Sequence, residues 1–89
     1  MKQLMYTVYI LQLSGIRKKI YIGFTSNLER RLSEHNKGSV RSTRNNFVTL
    51  LHSETFESKK EAEKREKWLK SGVGREWIKT NINGLVAKW

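Results

Sequence analysis

The residues Tyr21-Ile-Gly-Phe-Thr-Ser-Asn-Leu-Glu-Arg-Arg-Leu-Ser-Glu-His-Asn36 change within one short stretch from the period of a strand to that of a helix. Ile20 to Phe24 is β-branched and aromatic, which predicts a strand. Ser26 opens a helix, and Glu29 three residues later completes a capping-box signature. Leu28, Leu32 and His35 stand at i, i+4 and i+7 and so share one helix face. Gly38 ends that helix in the manner of a C-cap.

Working outward, Tyr6 to Leu13 has strand composition, and Ser14-Gly15 begins a turn with Arg17, Lys18 and Lys19 at its tip or exit. So short a connection predicts an antiparallel hairpin. On the other side, Ser39 to Asn46 is polar, basic and poor in helix formers, as an exposed loop would be, and Phe47 to Phe56 resumes strand character. Ser58 with Glu61 repeats the capping box and starts a second helix running to about Lys70. Ser71-Gly72-Val73-Gly74 then reads as a break before a short final helix from Arg75 to Asn81, and Leu85 to Trp89 as a tail. The expected class is α+β, a small three-stranded antiparallel sheet flanked by helices in the order β-β-α-β-α-α.

The chain of 89 residues has the length of one small domain, so residues 1–89 are expected to form a single unit. Hydrophobic residues make up 37%, enough to argue against global disorder. The absence of cysteine excludes disulfides, thiolate metal sites and a cysteine nucleophile. His35 and His52 are too far apart in sequence to suggest a zinc site. Eighteen basic against eight acidic residues give a formal charge of +10, which points to a polyanion, nucleic acid before an anionic membrane surface. The first residues, interrupted by Gln3, Thr7 and Gln12, lack the pattern of a secretory leader. No run approaches the roughly 20 apolar residues of a bilayer span, so a soluble, cytoplasmic protein is expected.

The informative residues are polar groups on apolar faces. Glu66 falls between Ala62 and Leu69 in the stripe of the second helix, where a buried carboxylate needs a cation or a cleft. The structural alternative is an ion pair with one of the many basic side chains. Arg31 and His35, four apart on the first helix, can together grip a phosphate or shuttle a proton. Their alternative is a snorkelling arginine and a histidine that caps a carbonyl. Tyr9 and Tyr21 occupy the middles of neighbouring strands, either as core aromatics or as proton donors and acceptors. Gly23 marks a point of close approach in the second strand.

Together these residues resemble the GIY-YIG nuclease family over nearly the whole chain, from Tyr6 to about Thr80. Val8-Tyr9-Ile10 stands at the first family tripeptide, with Val8 in place of glycine, and Tyr21-Ile22-Gly23 matches the second. The stretch 21–36 and the later Glu-Ala-Glu-Lys-Arg-Glu-Lys-Trp-Leu-Lys at 61–70 are similar to the small stand-alone bacterial members, relatives of the nuclease domain of the excinuclease C subunit. The resemblance implies metal-dependent hydrolysis of phosphodiester bonds in DNA, in repair or processing. It implies that Tyr9 and Tyr21 are the paired motif tyrosines, one of which helps deprotonate the attacking water. It assigns Arg31 to the scissile phosphate, His35 to the neighbourhood of the nucleophile, and Glu66 to one divalent ion, Mg²⁺ or Mn²⁺. Phe24 stands where some repair enzymes carry a lysine.

Arg17, Lys18, Lys19, Arg41 and Arg44 are expected to guide a phosphate backbone toward these groups. Larger family members add separate DNA-binding domains, so specificity here is expected from the domain's own surface, an oligomer or a protein partner. Two other functions remain open at this level. One is a non-catalytic nucleic-acid-binding module on the same fold. The other is an adaptor using Trp68, Trp77 and Trp89, of which at least two are expected simply to pack. The charged residues between Lys59 and Lys67 read as a solvated helix face with pairs such as Glu63 and Lys67.

Overall fold

Val8-Tyr-Ile-Leu11 is apolar at every position rather than every second one, the mark of a strand covered on both faces. A computed structural model describes residues 5–14, 18–38 and 47–82 and places that strand at the centre of the sheet. The elements are β1 (Tyr6–Ser14), β2 (Lys18–Thr25), α1 (Leu28–Asn36), β3 (Phe47–Phe56), α2 (Lys59–Lys70) and α3 (Gly72–Asn81). The sheet order is β2-β1-β3, with both pairings antiparallel. The expected α+β order is therefore observed, while the expected tail, Leu85 to Trp89, lies outside the described residues.

Alternation along β1 divides the core in two. Val8 and Ile10 point to one face, where they pack with Ile22 of β2, Ala62 and Leu69 of α2 and Ile78 of α3. Tyr9, Leu11 and Leu13 point to the other, where Tyr21, Leu28, Leu32 and Val48 close over them. Two helices thus cover one face, and the nine-residue α1 covers the other.

A bulge in β3 lets that strand serve both faces. Ile10 lies opposite His52 but Leu11 lies opposite Leu50, so Leu51 is the extra residue. Without it, Val48, Leu50, His52, Glu54 and Phe56 would all share one side. With it, Val48 joins the α1 face, while Leu51 and Phe56 pack against the α2–α3 cluster.

The helix ends follow side-chain chemistry. The cap of α1 is Asn27, one residue past the expected Ser26: its side chain accepts from Arg30 N at 3.0 Å. Thr25 favours that choice, since its hydroxyl accepts from Asn27 N at 3.1 Å and donates to Asn27 O at 3.3 Å. Gly38 follows the C-terminus with φ 77°, and its N–H reaches His35 O at 3.1 Å. Ser58 caps α2 as expected, accepting from Glu61 N at 3.4 Å.

The junction between α2 and α3 corrects the expected break. Ser71 ends α2 and caps α3, its hydroxyl donating to Trp68 O and accepting from Gly74 N. Gly72 to Gly74 form the first turn of α3, where N–H groups lack intrahelical acceptors in any case. Gly74 is required by contact: a Cβ there would lie 2.0 Å from Trp68 O and 2.5 Å from Leu69 Cα.

Candidate active site

The hairpin and α1 meet over Tyr9. In the β1–β2 register Tyr9 is opposite Gly23 and Leu11 is opposite Tyr21, so the two tyrosines are diagonal neighbours on the α1 face. Their rings stack with centroids 6.1 Å apart and planes 29° from parallel. Gly23 makes room for this pair. A Cβ at that position would sit 2.8 Å from the Tyr9 hydroxyl oxygen and 3.1 Å from Tyr21 Cε1. On the other flank Tyr9 faces Ser53 of β3, also small.

Helix α1 brings Arg31 and His35 to the phenols from one turn of spacing. His35 is 1% exposed, and its ring meets both tyrosines edge-on, at 5.8 Å from Tyr9 and 4.9 Å from Tyr21. Its Nε2 lies 3.1 Å from the Tyr9 hydroxyl, and Arg31 Nε donates to the same hydroxyl at 3.4 Å. Arg31 Nη1 also donates to Glu34 Oε1 at 3.1 Å, while 35% of its side chain remains exposed. Tyr9 itself is 1% exposed and Tyr21 half-buried, so the four groups run from a charged outer edge to a sealed interior.

The electrostatics fix the protonation states. Burial pushes the Tyr9 phenol up to about 12, against the opposing hydrogen bond from Arg31. Arg31 is raised above its ordinary value, chiefly by that hydrogen bond and despite desolvation, so it stays charged. His35 is lowered, first by desolvation and then by the Arg31 charge. At neutral pH the arrangement is therefore guanidinium, phenol and neutral imidazole. The Tyr9 oxygen accepts from Arg31 and offers its proton to His35 Nε2, which accepts when the ring proton is on Nδ1.

Glu66 stands apart from these four. Ala62 and Leu69 bury their side of α2 against Val8, Ile10 and Ile22, so Glu66 belongs to the helix on the opposite face of the sheet from Arg31 and His35. Its side chain is 18% exposed, and Lys70 Nζ lies 3.4 Å from its Oε2. No hydrogen bond or ion pair joins it to Tyr9, Tyr21, Arg31 or His35. Among the described residues, no three His, Cys, Asp or Glu side chains gather to hold a metal. A lone carboxylate still suits magnesium, which keeps several waters and takes other oxygens from a phosphate.

Of the basic residues expected to track a backbone, Arg17, Arg41 and Arg44 lie outside the described residues. Lys18 and Lys19 open β2 opposite Ser14 and Leu13, and their side chains likewise lie outside the description. Trp68 and Trp77 are packed rather than presented, whereas Trp89 is outside the described residues. Glu63 and Lys67 form no ion pair.

Two clusters were not anticipated. Glu34 steadies Arg31 from three residues along α1, a spacing visible in the sequence. On the opposite face, Glu54 accepts from Arg65 Nε at 2.8 Å and Nη2 at 3.1 Å and lies 2.8 Å from His52 Nε2. Arg65 rests on the Trp68 and Trp77 rings at 4.6 and 4.8 Å. No single-element pattern announces this cluster, because it joins β3, α2 and α3.

A three-stranded sheet carrying two stacked tyrosines under a helix arginine and histidine is an α+β arrangement with these polar side chains gathered on one face. The GIY-YIG catalytic-domain family matches residues 5–81, and the chain belongs to that family. A UPF0213 protein of Natronomonas pharaonis is 42% identical over 65 residues, covering 71% of this chain and 76% of its own. A UPF0213 protein of Lactococcus lactis subsp. cremoris is 36% identical over 81 residues, covering 88% and 81%. UPF0213 protein YsiG of Lactococcus lactis subsp. lactis is 40% identical over 72 residues, covering 79% and 67%. No solved structure matches the chain. No helix among the described residues is long and apolar enough to cross a membrane.

Proposed function

We propose that the protein is a divalent-metal-dependent endonuclease that hydrolyses phosphodiester bonds in DNA, in repair or processing. The observation that carries this reading is the hydrogen-bonded series from half-buried Arg31 through buried Tyr9 to neutral His35. Arg31 supplies a fixed positive charge for the scissile phosphate and for the charge that develops on it. Tyr21, the less buried phenol, orients the attacking water. As the water oxygen bonds to phosphorus and the bond from phosphorus to the leaving oxygen breaks, the water proton passes to the Tyr9 oxygen, Tyr9 gives its own to His35 Nε2, and the leaving oxygen takes a proton from solvent. Tyr9 then exchanges one proton for another and never persists as phenolate, which its value of about 12 would oppose. Glu66 is the residue that would hold Mg²⁺ or Mn²⁺, an ion that supplies Lewis-acid stabilisation of the phosphate and leaving oxygens.

Cleavage of plasmid and branched DNA in Mg²⁺ or Mn²⁺ tests this directly. Arg31→Ala should lower the rate by about 10²- to 10³-fold, the loss typical of a transition-state donor. Glu66→Ala should abolish metal-dependent cleavage, and equal cleavage by wild type and this variant would remove the catalytic assignment. One observation favours a second reading, a nucleic-acid-binding module without catalysis: Glu66 is paired with Lys70 on the helix across the sheet from Arg31. That reading expects salt-dependent DNA binding with no turnover.

A further inference from the structure

The outer surface of α2 carries a stripe that the candidate active site does not use. Lys60, Lys64 and Lys67 are all exposed. At about 100° per residue they fall within roughly 60° of arc, and the first and last are about 10.5 Å apart along the axis. None of the three forms an ion pair, since Glu66 is taken by Lys70 and Glu63 does not join Lys67. Glu63 lies three residues from Lys60 and four from Lys67 without closing an ion pair, so the three ammonium groups stay directed to solvent, where an anionic partner can meet them.

The position of the stripe matters more than its charge. Ala62 and Leu69 turn the opposite side of α2 onto the sheet face formed by Val8, Ile10 and Ile22. Tyr9 and Leu11 alternate to the other sheet face, beneath α1. The lysines therefore look away from Arg31, with the helix and the sheet between them. A short straight duplex seated at Arg31 cannot also lie along this stripe.

Resting on the reading of the protein as a nucleic-acid enzyme, we propose that Lys60, Lys64 and Lys67 form a second backbone-binding surface, which takes a separate double-stranded segment of the same nucleic acid. The charge complementarity to phosphate and the net charge of +10 support nucleic acid as the occupant. The partner is then a branched or sharply bent DNA whose second arm reaches the far side of the sheet. Surface lysines act here as point charges on the backbone, without base readout.

Binding measured over a salt series, with a four-arm DNA and with a linear duplex of roughly 12 base pairs, tests the surface. Wild type should prefer the four-arm DNA. The variant K60Q/K64Q/K67Q should lose that preference, with affinity for the branched DNA falling about 10- to 100-fold and the salt slope by up to about 2.7. A charge-matched variant at other exposed lysines, K37Q/K59Q/K79Q, should keep the preference, and K60R/K64R/K67R should restore binding. The surface is overturned if the preference survives in K60Q/K64Q/K67Q, or if the charge-matched variant loses as much. It is also overturned if that triple variant loses only binding to phosphatidylserine vesicles, which would assign the stripe to a membrane. Absence of any nucleic-acid binding by wild type would overturn the enzyme reading together with this one. Intact DNA cleavage with an unchanged branched-DNA preference would overturn the second surface alone.

Discussion

The two faces of the sheet are built from alternate residues of the same strand, yet they are stabilised by different physics. On the α2–α3 face Val8, Ile10, Ile22, Leu69 and Ile78 form an aliphatic core without a polar atom among their side chains. On the α1 face the central positions are a phenol and an imidazole, both 1% exposed and held by hydrogen bonds. Buried polar groups add little net stability when paired and cost much when a partner is removed. The α2–α3 face is therefore held at its centre by aliphatic burial, whereas the centre of the α1 face holds two buried polar groups that depend on each other.

Leu69→Ala should expose the largest difference between the faces. It removes a fully buried side chain from the two-helix side and should cost about 2–5 kcal/mol in denaturant unfolding. Tyr9→Phe on the other face should cost less than that while removing the hydrogen bond to His35; a larger stability loss for Tyr9→Phe would reverse that contrast.

Gly23→Ala comes next. Its Cβ would press on the Tyr9 hydroxyl and on the Tyr21 ring, and the overlap should cost about 1–3 kcal/mol. Because Tyr9 must move, the same variant should weaken DNA cleavage, whereas unchanged cleavage would show that Tyr9's position is not critical.

The smallest effect belongs to Glu54, the polar residue that links β3 to α2. Burial opposes its ionisation, but hydrogen bonds from Arg65 and His52 outweigh that and hold its carboxyl below the ordinary value of 4.5. The unfolded chain consequently binds the proton first as pH falls, so the Glu54 contribution is present above about 4.5 and lost through the lower folded value. Glu54→Gln should lower stability near neutral pH by about 1 kcal/mol, since the cluster is partly exposed. It should also flatten the acid limb of a stability–pH curve, and an unchanged limb would assign acid sensitivity to other carboxylates.

Much of this was legible from local pattern. The strand from Phe47 to Phe56 has its expected bounds, Ser58 caps α2, and the motif residues Tyr9, Tyr21, Arg31 and His35 gather on one face. What escaped depends on neighbours that sequence spacing does not specify. Leu51 gives no local sign of a bulge, because its reason is the demand of two separate cores. Asn27 displaces Ser26 as a cap through its hydrogen bonds with Thr25. The glycines at 72 and 74 read as breakers because glycine disfavours helix interiors, whereas they open a helix tightly packed on its predecessor. Glu66 keeps its position in the apolar stripe, but its contact is Lys70 on its own helix.

Ser71 gives the corner between α2 and α3 a mechanical character. One hydroxyl closes the last turn of the first helix and the first turn of the second, while Gly74 rests against the backbone of both Trp68 and Leu69. There is no spacer in which one helix can fray without disturbing the other. The pair is best regarded as a single bent lever, and amide exchange should find its two arms opening together as one cooperative unit.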